Sequence, residues 1–244
     1  MIRVGTSGYN YPEWKGLFYP EDLPASKMLP YYAERFSTVE INASFYRMPT
    51  PKTVAGWAAA TPASFTFVLK APQRITHFAR LRNIDEPLRF FCDAAESLGP
   101  KRGPLFFQLP PNFKKDTERL AQTLALLPPG VDAAFEFRHA SWFADDVYDI
   151  LRARNAALAI VDNNTVDGHG RQGSMAGATP AVATADWGYL RLRAAHYADD
   201  DLRRWVATIR EVGVRWRQGF VFFKHEDAGA GPVLARRLRD LLEA

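Results

Sequence analysis

Short stretches of alternating apolar and polar residues recur along the chain, and a longer segment with helical spacing follows most of them. Within residues 133–142, Phe135 and Phe137 fall on one face while Glu136 and Arg138 fall on the other. Alternation with a period of two predicts a strand whose apolar face is covered by another layer. Charged residues near the end of such a strand are typical of a parallel barrel, whose loops at the carboxyl ends build the site. A structural ion pair between Glu136 and Arg138 is the alternative.

Eight stretches follow this strand pattern. They cover residues 2–6, 38–42, 65–70, 104–109, the stretch that starts at 133, 157–161, 189–193 and 219–224. Helices are predicted to follow the capping residues Ser26, Thr50, Asp85 and Asp116, and to cover 144–155, 200–213 and 232–242. Residues 163–186 are rich in glycine, threonine and asparagine and show no helical period. Strands and helices therefore alternate along the chain, except that the segment between the strands at 157–161 and 189–193 lacks a clear helical pattern.

This order favours a TIM-like (β/α)8 barrel of the α/β class over a doubly wound sheet, with a degenerate sixth helix. A chain of 244 residues with 47% hydrophobic content can bury one large core, so we expect a single domain over residues 1–244. The chain has no run of about 18 apolar residues, and its amino terminus enters a strand pattern directly. We therefore expect a soluble, cytoplasmic protein without a membrane partner.

Charge and cysteine content change this picture little. The net charge of +4 and the pI near 9.2 are compatible with a nucleic-acid partner. The arginine-rich segments have helical spacing, and no stretch interleaves basic and stacking residues in the way that a single-strand binding surface would, so solvated helix faces are favoured over such a partner. The single cysteine, Cys92, has no second cysteine for a disulfide or a cysteine-based metal site.

Polar side chains gather at the carboxyl ends of the predicted strands, on the face opposite each main apolar pair. They are Glu40, Asn42, Lys70, Gln108, Glu136, Arg138, Asp162, Arg191, Arg193 and Lys224. Since the carboxyl ends of barrel strands meet at one mouth, we expect Glu40, Asn42, Lys70, Glu136, Arg138 and Arg191 to converge on one concave site.

Two kinds of chemistry suit this set. Glu40 and Glu136 would lie three strands apart, which by analogy with barrel glycosidases predicts a catalytic acid and base. The excess of cations at the strand ends instead indicates a small anionic ligand, because arginine matches carboxylate and phosphate groups. The residues predicted to bind it are Asn42, Lys70, His77, Gln108, Arg138, His139, Arg191 and Arg193. Solvation of the barrel end by these charges is the alternative.

Aromatic residues in the loops are predicted to wall the site, since such rings beside convergent polar groups are typical of small-molecule pockets. The predicted wall consists of Tyr9, Trp14, Tyr46 and Trp142, and loop packing is its alternative. We predict no metal, because the cations of the mouth disfavour the possible ligands Glu40, Glu136, Asp162 and His139. No cofactor is predicted either, since the sequence has no glycine-rich phosphate loop.

The chain resembles the YecE-like family, known as domain of unknown function 72, along its whole length. The resemblance rests on VGTSG (4–8), VEIN (39–42) with Phe45 and Tyr46, FTFVLK (65–70), QLPP (108–111) and FEFRH (135–139) with Ser141 and Trp142. It implies a TIM-like barrel and supplies no activity. The chain departs from the family pattern at Arg193, where the family tends to have histidine, and at Lys224-His225, where it tends to have two asparagines.

Two functions of different classes remain open. The first is an enzyme, a hydrolase or isomerase acting on a small anionic or sugar-like molecule, with one glutamate whose pKa is raised. The second is a binding or sensing module, in which both glutamates are ionised and paired with Arg138 and Lys70. A metal-dependent barrel of the isomerase or endonuclease type is a further alternative.

Overall fold

Eight parallel strands close into a barrel in the computed structural model, which describes residues 1–162, 179–194, 196–224 and 229–244. Each strand pairs with the next, and the last pairs with the first. The strands are β1 (Ile2–Ser7), β2 (Thr38–Ile41), β3 (Thr66–Lys70), β4 (Arg102–Gln108), β5 (Ala133–Glu136), β6 (Ala157–Val161), β7 (Trp187–Leu192) and β8 (Gln218–Phe223). The TIM-like (β/α)8 fold predicted from the alternation is therefore confirmed.

Helices surround the barrel on its outside. They are α1 (Ala25–Ala33), α2 (Ala43–Tyr46), α3 (Pro51–Ala59), α4 (Asp85–Glu96), α5 (Thr117–Leu126), α6 (Asp145–Ala153), α7 (Asp199–Val212) and α8 (Ala230–Glu243). Between β6 and β7, residues 179–186 contain no helix, and the rest of the predicted degenerate sixth helix lies outside the described residues. Over the described part of the chain, no helix is long and apolar enough to cross a membrane.

Two of the four predicted helix caps are confirmed. The side chain of Thr50 accepts a hydrogen bond from Thr53 N, and that of Asp116 accepts one from Arg119 N. The other two are wrong by one or two residues. Helix α1 begins one residue before Ser26, and α4 begins at Asp85 itself, where acidic residues in the first turn interact favourably with the helix dipole.

Two apolar layers hold the barrel. The outward faces of the strands, including Phe135 in β5 and Phe137 just after it, pack into a cluster with the surrounding helices. A second cluster fills the inside of the barrel and consists of Val68, Phe106, Ala134, Ala157, Ala159, Trp187, Tyr189, Phe220 and Phe222. Because side chains two positions apart share a face, the next inward residues toward the carboxyl ends are Lys70, Gln108, Glu136 and Arg191. These polar side chains form a layer at the carboxyl ends of the strands, next to the apolar cluster inside the barrel, and we call it the polar layer.

Close contact between β1 and β2 requires glycine at position 5. A Cβ atom placed on Gly5 would lie 2.3 Å from the backbone oxygen of Thr38. We expect Gly5→Ala to lower the free energy of unfolding by about 1–3 kcal/mol, since the two strands must move apart. Urea unfolding measures this change.

The matched control is Gly56→Ala in the middle of α3, where an added Cβ atom meets nothing within 4 Å. This variant should be more stable by about 0.5–1 kcal/mol, because alanine loses less conformational entropy than glycine in a helix. Equal effects of the two substitutions would contradict the proposed role of Gly5.

Candidate functional site

Arg191 lies at the centre of the polar layer and joins the two predicted catalytic glutamates. Its Nη2 atom is 2.8 Å from Glu40 Oε1, and its Nη1 atom is 2.6 Å from Glu136 Oε2. All three side chains are almost fully buried. Burial would lower the pKa of Arg191, but the two carboxylates raise it above its usual value. One guanidinium therefore bridges two buried carboxylates that lie on β2 and β5.

Three further donors surround the Oε1 atom of Glu136. Gln108 Nε2 lies 2.8 Å away, Arg138 Nε 2.9 Å and Arg193 Nη1 3.2 Å. Burial alone would raise the pKa of Glu136, but Arg191, Arg138 and Arg193 hold it well below its usual range. Glu136 is therefore ionised, and both of its carboxylate oxygens accept hydrogen bonds.

Glu40 is also surrounded by donors from other strands. Its Oε1 atom accepts hydrogen bonds from Ser7 Oγ and Arg191, and its Oε2 atom lies 2.5 Å from the hydroxyl of Tyr189. Burial and the nearby Glu40 carboxylate raise the pKa of Tyr189 well above its usual value. Since Ser7 donates its proton to Glu40, the amide Nδ2 of Asn42, 3.2 Å from Ser7 Oγ, must be the donor in that pair. The Oδ1 atom of Asn42 is left as a buried acceptor with no hydrogen-bond partner.

Lys70, the last residue of β3, has a different environment from the arginines. Its Nζ atom lies 3.0 Å from Gln108 Oε1 and 4.1 Å from the centre of the Phe45 ring. Among the described residues, no carboxylate lies within 4.0 Å of it, although the side chain is buried. Burial and, after it, the charge of Arg191 hold the pKa of Lys70 well below its usual range, against the opposite effects of Glu40 and Glu136.

A cavity of about 400 Å³ opens at the carboxyl ends of β1, β2, β3 and β8. Its described lining contains two lysines, several aromatic rings and no carboxylate. The lining residues are Gly8, Tyr9, Asn10, Tyr11, Ile41, Asn42, Ala43, Tyr46, Trp57, Lys70 and Lys224. The arginines and glutamates of the polar layer are absent from this lining, so the cavity takes its charge from lysines.

The six residues predicted to converge are thus joined in one hydrogen-bonded network, but only Asn42 and Lys70 of them line the cavity. Arg138, Arg191 and Arg193 contact Glu136 instead. Gln108 links the two groups, because its amide nitrogen contacts Glu136 and its amide oxygen contacts Lys70.

Two of the four predicted wall residues lie elsewhere. Tyr9 and Tyr46 line the cavity, whereas Trp14 and Trp142 are buried in the outer apolar cluster. Trp14 packs against Phe18 and Tyr19 in the loop after β1. Trp142 stacks on Phe137, with ring centres 4.6 Å apart, and donates its indole N–H to Phe113 O. Loop packing, the alternative stated for the wall, describes both tryptophans.

Sequence reasoning missed two aromatic residues of the cavity. Tyr11 belongs to the same aromatic loop as Tyr9 and could have been included on that ground. Trp57 lies on α3, and no local pattern distinguishes it from a packing residue. Burial raises the pKa of Tyr9, and a hydrogen bond with the side chain of Trp57 partly offsets this effect. The two rings therefore form one connected part of the wall.

The predicted histidines, His77 and His139, do not belong to the cavity lining. His77 lies in a π-helical segment, Arg74–Phe78, with its ring centre 4.9 Å from that of Phe45. Burial and the neighbouring Lys70 lower the pKa of His77 to about 4. The Nδ1 atom of His139 lies 2.8 Å from Ser141 Oγ in the loop after β5. His225, noted as a departure from the family pattern, lies outside the described residues.

The residues named as possible metal ligands are engaged in other contacts. Arg191 occupies the space between Glu40 and Glu136, and Asp162 accepts hydrogen bonds from the backbone N–H groups of Arg193 and Ala194. Among the residues that the structure describes, no group of three histidine, cysteine, aspartate or glutamate side chains is placed to hold a metal ion.

Comparison with known proteins gives a family without an assigned activity. The family model described as "Protein of unknown function DUF72" matches residues 3–244. The UPF0759 protein YecE of Escherichia coli K12 is 32% identical over 145 residues, which is 59% of this chain and 51% of that protein. This match spans about half the length of that relative. The UPF0759 protein YunF of Bacillus subtilis 168 is 24% identical over the whole chain and 95% of its own length.

Solved structures agree with the barrel architecture. A DUF72 family protein from Thermotoga maritima MSB8 superposes with a TM-score of 0.85 at 26% identity, and the match covers 100% of both chains. A DUF72 family protein from Enterococcus faecalis V583 gives a TM-score of 0.82 at 18% identity, covering 100% of this chain and 96% of that one. The second likeness concerns the fold alone.

Proposed function

The chain belongs to the DUF72 family, and we propose that this member binds a small organic anion in the cavity at the carboxyl ends of its barrel strands. The observation that carries this proposal is the environment of Lys70. Its amine is buried at the cavity, its Nζ atom contacts the neutral amide of Gln108, and the described lining contains no carboxylate. Burial disfavours the protonated form of this amine, and a bound anion beside it would stabilise that form, so anion binding and protonation of Lys70 favour each other.

The rest of the lining suits a small organic ligand. Tyr9, Tyr46 and Trp57 offer flat apolar surfaces, and a volume of about 400 Å³ lies within the range of small-molecule pockets. The buried Oδ1 atom of Asn42 lacks a hydrogen-bond partner. A hydroxyl group on the ligand would satisfy that acceptor, since buried polar atoms are normally hydrogen-bonded.

Acid–base chemistry by Glu40 and Glu136 has less support. A general acid or base needs a pKa near the working pH and access to the substrate. The pKa of Glu136 is held well below its usual range, and neither carboxylate belongs to the cavity lining. We infer instead that both glutamates position Arg191 and that Glu136, through Gln108, orients Lys70.

The test is calorimetric titration with lactate, benzoate and inorganic phosphate at low and high salt. Lys70→Met should weaken binding about tenfold or more, because a charged hydrogen bond contributes roughly 1.5–3 kcal/mol. Lys52→Met removes an exposed lysine on α3, outside the cavity lining, and should leave affinity unchanged. Lys224→Met measures the contribution of the second lysine of the cavity.

A buried site should lose much less affinity at high salt than a screened surface site. The proposal is wrong if none of the three anions binds at millimolar concentration, or if Lys70→Met and Lys52→Met have the same effect.

A further inference from the structure

We propose that Lys70 is a nucleophile that forms an imine with the carbonyl carbon of a small oxo acid bound in the cavity. This inference rests on the proposed function, because the anionic part of the oxo acid would be the anion that the cavity binds. It adds a reacting group to the ligand and a covalent step to the site.

Hydrogen bonds hold both the backbone and the amine of Lys70 in place. Its backbone oxygen accepts a hydrogen bond of 2.7 Å from Ser44 Oγ at the start of α2. Its Nζ atom contacts the Oε1 atom of Gln108 at 3.0 Å, and Gln108 is itself oriented because its Nε2 atom donates to Glu136. An amide oxygen can only accept, so it holds one amine hydrogen and leaves the lone pair of a neutral amine available.

Burial of Lys70 favours the neutral amine that such an attack needs. Burial is the largest cause that lowers its pKa, and Arg191 and then Arg138 act in the same direction. Glu40 and Glu136 act in the opposite direction without restoring the usual value. The two arginines and the two glutamates act in opposite directions, so burial is the main reason that the neutral amine is favoured.

Two aromatic neighbours complete this environment. His77, in the segment after β3, is neutral near pH 7 because its pKa is lowered to about 4. The ring of Phe45, 4.1 Å from the Nζ atom, attracts a cation at that position. A protonated imine carries a positive charge at the same nitrogen, so this ring and a neighbouring carboxylate of the ligand would stabilise the product.

The covalent step balances without an oxidant or a metal. The lone pair of the neutral Lys70 amine attacks the carbonyl carbon, a C–N bond forms, and the carbonyl π electrons move to oxygen. One proton passes from nitrogen to that oxygen, and a second proton comes from solvent. The C–O bond then breaks, water leaves, and a protonated imine remains.

Three other lysines of the described chain lack this combination. Lys101 Nζ donates to the backbone oxygens of Ala58 and Thr61, both 2.6 Å away. Lys115 pairs with Asp146 at 2.7 Å, and Lys52 is exposed. These residues provide internal controls for selective modification.

The experiment incubates the full chain with pyruvate at pH 7 in the presence of borohydride, which reduces an imine to a stable secondary amine. Intact mass measures the number of adducts, and peptide mapping locates them on the unaltered protein, so the result does not depend on a variant that folds. We expect one adduct at Lys70, with labelling at least about tenfold above that of Lys52, because each unit by which a pKa falls raises the neutral fraction about tenfold. Lys70→Met should remove the adduct, and Lys52→Arg, at an exposed position outside the cavity lining, should retain it.

Lactate separates failure of this inference from failure of the proposed function, since it has the same carboxylate and cannot form an imine. If lactate binds in calorimetry and pyruvate gives no adduct, the anion site stands and the imine is wrong. If neither acid binds but neutral acetone is trapped at Lys70, the nucleophile stands and the anion site is wrong. Labelling confined to Lys224, or spread equally over exposed lysines, overturns the assignment to Lys70.

Discussion

Replacing Arg191 by methionine should lower the free energy of unfolding by about 3–5 kcal/mol, which is a large part of the stability of an ordinary domain. The substitution leaves Glu40 and Glu136 buried without the guanidinium that contacts both. Methionine fills much of the same volume, so the expected loss reflects uncompensated charge more than a cavity. Urea unfolding at pH 7 measures it.

Arg217→Met is the matched control, because Arg217 also bridges two carboxylates. Its Nη2 atom is 2.7 Å from Asp132, and its Nε atom is 3.1 Å from Asp186, but its side chain is 47% exposed. We expect a loss of less than about 1 kcal/mol, since exposed ion pairs are screened by solvent. If both variants lower the free energy of unfolding by the same amount, burial does not make the ion pairs of Arg191 more important for stability than those of Arg217.

The second large effect concerns Glu136 and pH. Glu136→Gln should lower the free energy of unfolding at pH 7 by about 3 kcal/mol, because Arg191, Arg138 and Arg193 lose their common anion. The pKa of Glu136 is depressed in the folded protein, so the stability that it contributes is fully present above its unfolded pKa, about 4.3. That contribution is lost as the pH falls through the folded pKa.

Urea unfolding of the unaltered protein and of Glu136→Gln should therefore differ most between about pH 5 and 8, and the difference should shrink below about pH 4. Asp146→Asn provides the comparison, because Asp146 pairs with Lys115 at the surface and its exposed carboxylate should have little effect on stability at any pH. A difference between the unaltered protein and Glu136→Gln that stays constant from pH 8 to pH 3 would contradict the role assigned to Glu136.

Much of the fold could be predicted from the sequence because strand and helix periodicity is local. The alternation of Phe135 and Phe137 with Glu136 identifies both a strand and its inward face, and parity alone places Lys70, Glu136 and Arg191 inside the barrel. Capping was less certain. The caps at Thr50 and Asp116 are confirmed, whereas the other two helices begin one or two residues earlier than predicted, after Pro24 and Ile84, whose side chains cannot cap a helix.

The sequence could also indicate which polar residues gather at the barrel mouth, but not which of them pair with one another. Arg191 is separated by 151 residues from Glu40 and by 55 from Glu136, so only closure of the barrel brings the three together. Likewise, the aromatic pattern could not separate Trp14, which packs in the outer core, from Tyr9, which lines the cavity.

By itself, therefore, the sequence determined eight strands, their inward faces and a polar layer at their carboxyl ends, since each follows from spacing along the chain. The tertiary structure decided that the arginines neutralise the buried glutamates while Lys70 contacts a neutral amide beside the cavity. The physical reason is that charge pairing in a buried layer depends on distances across the barrel, which residue types and their spacing do not specify.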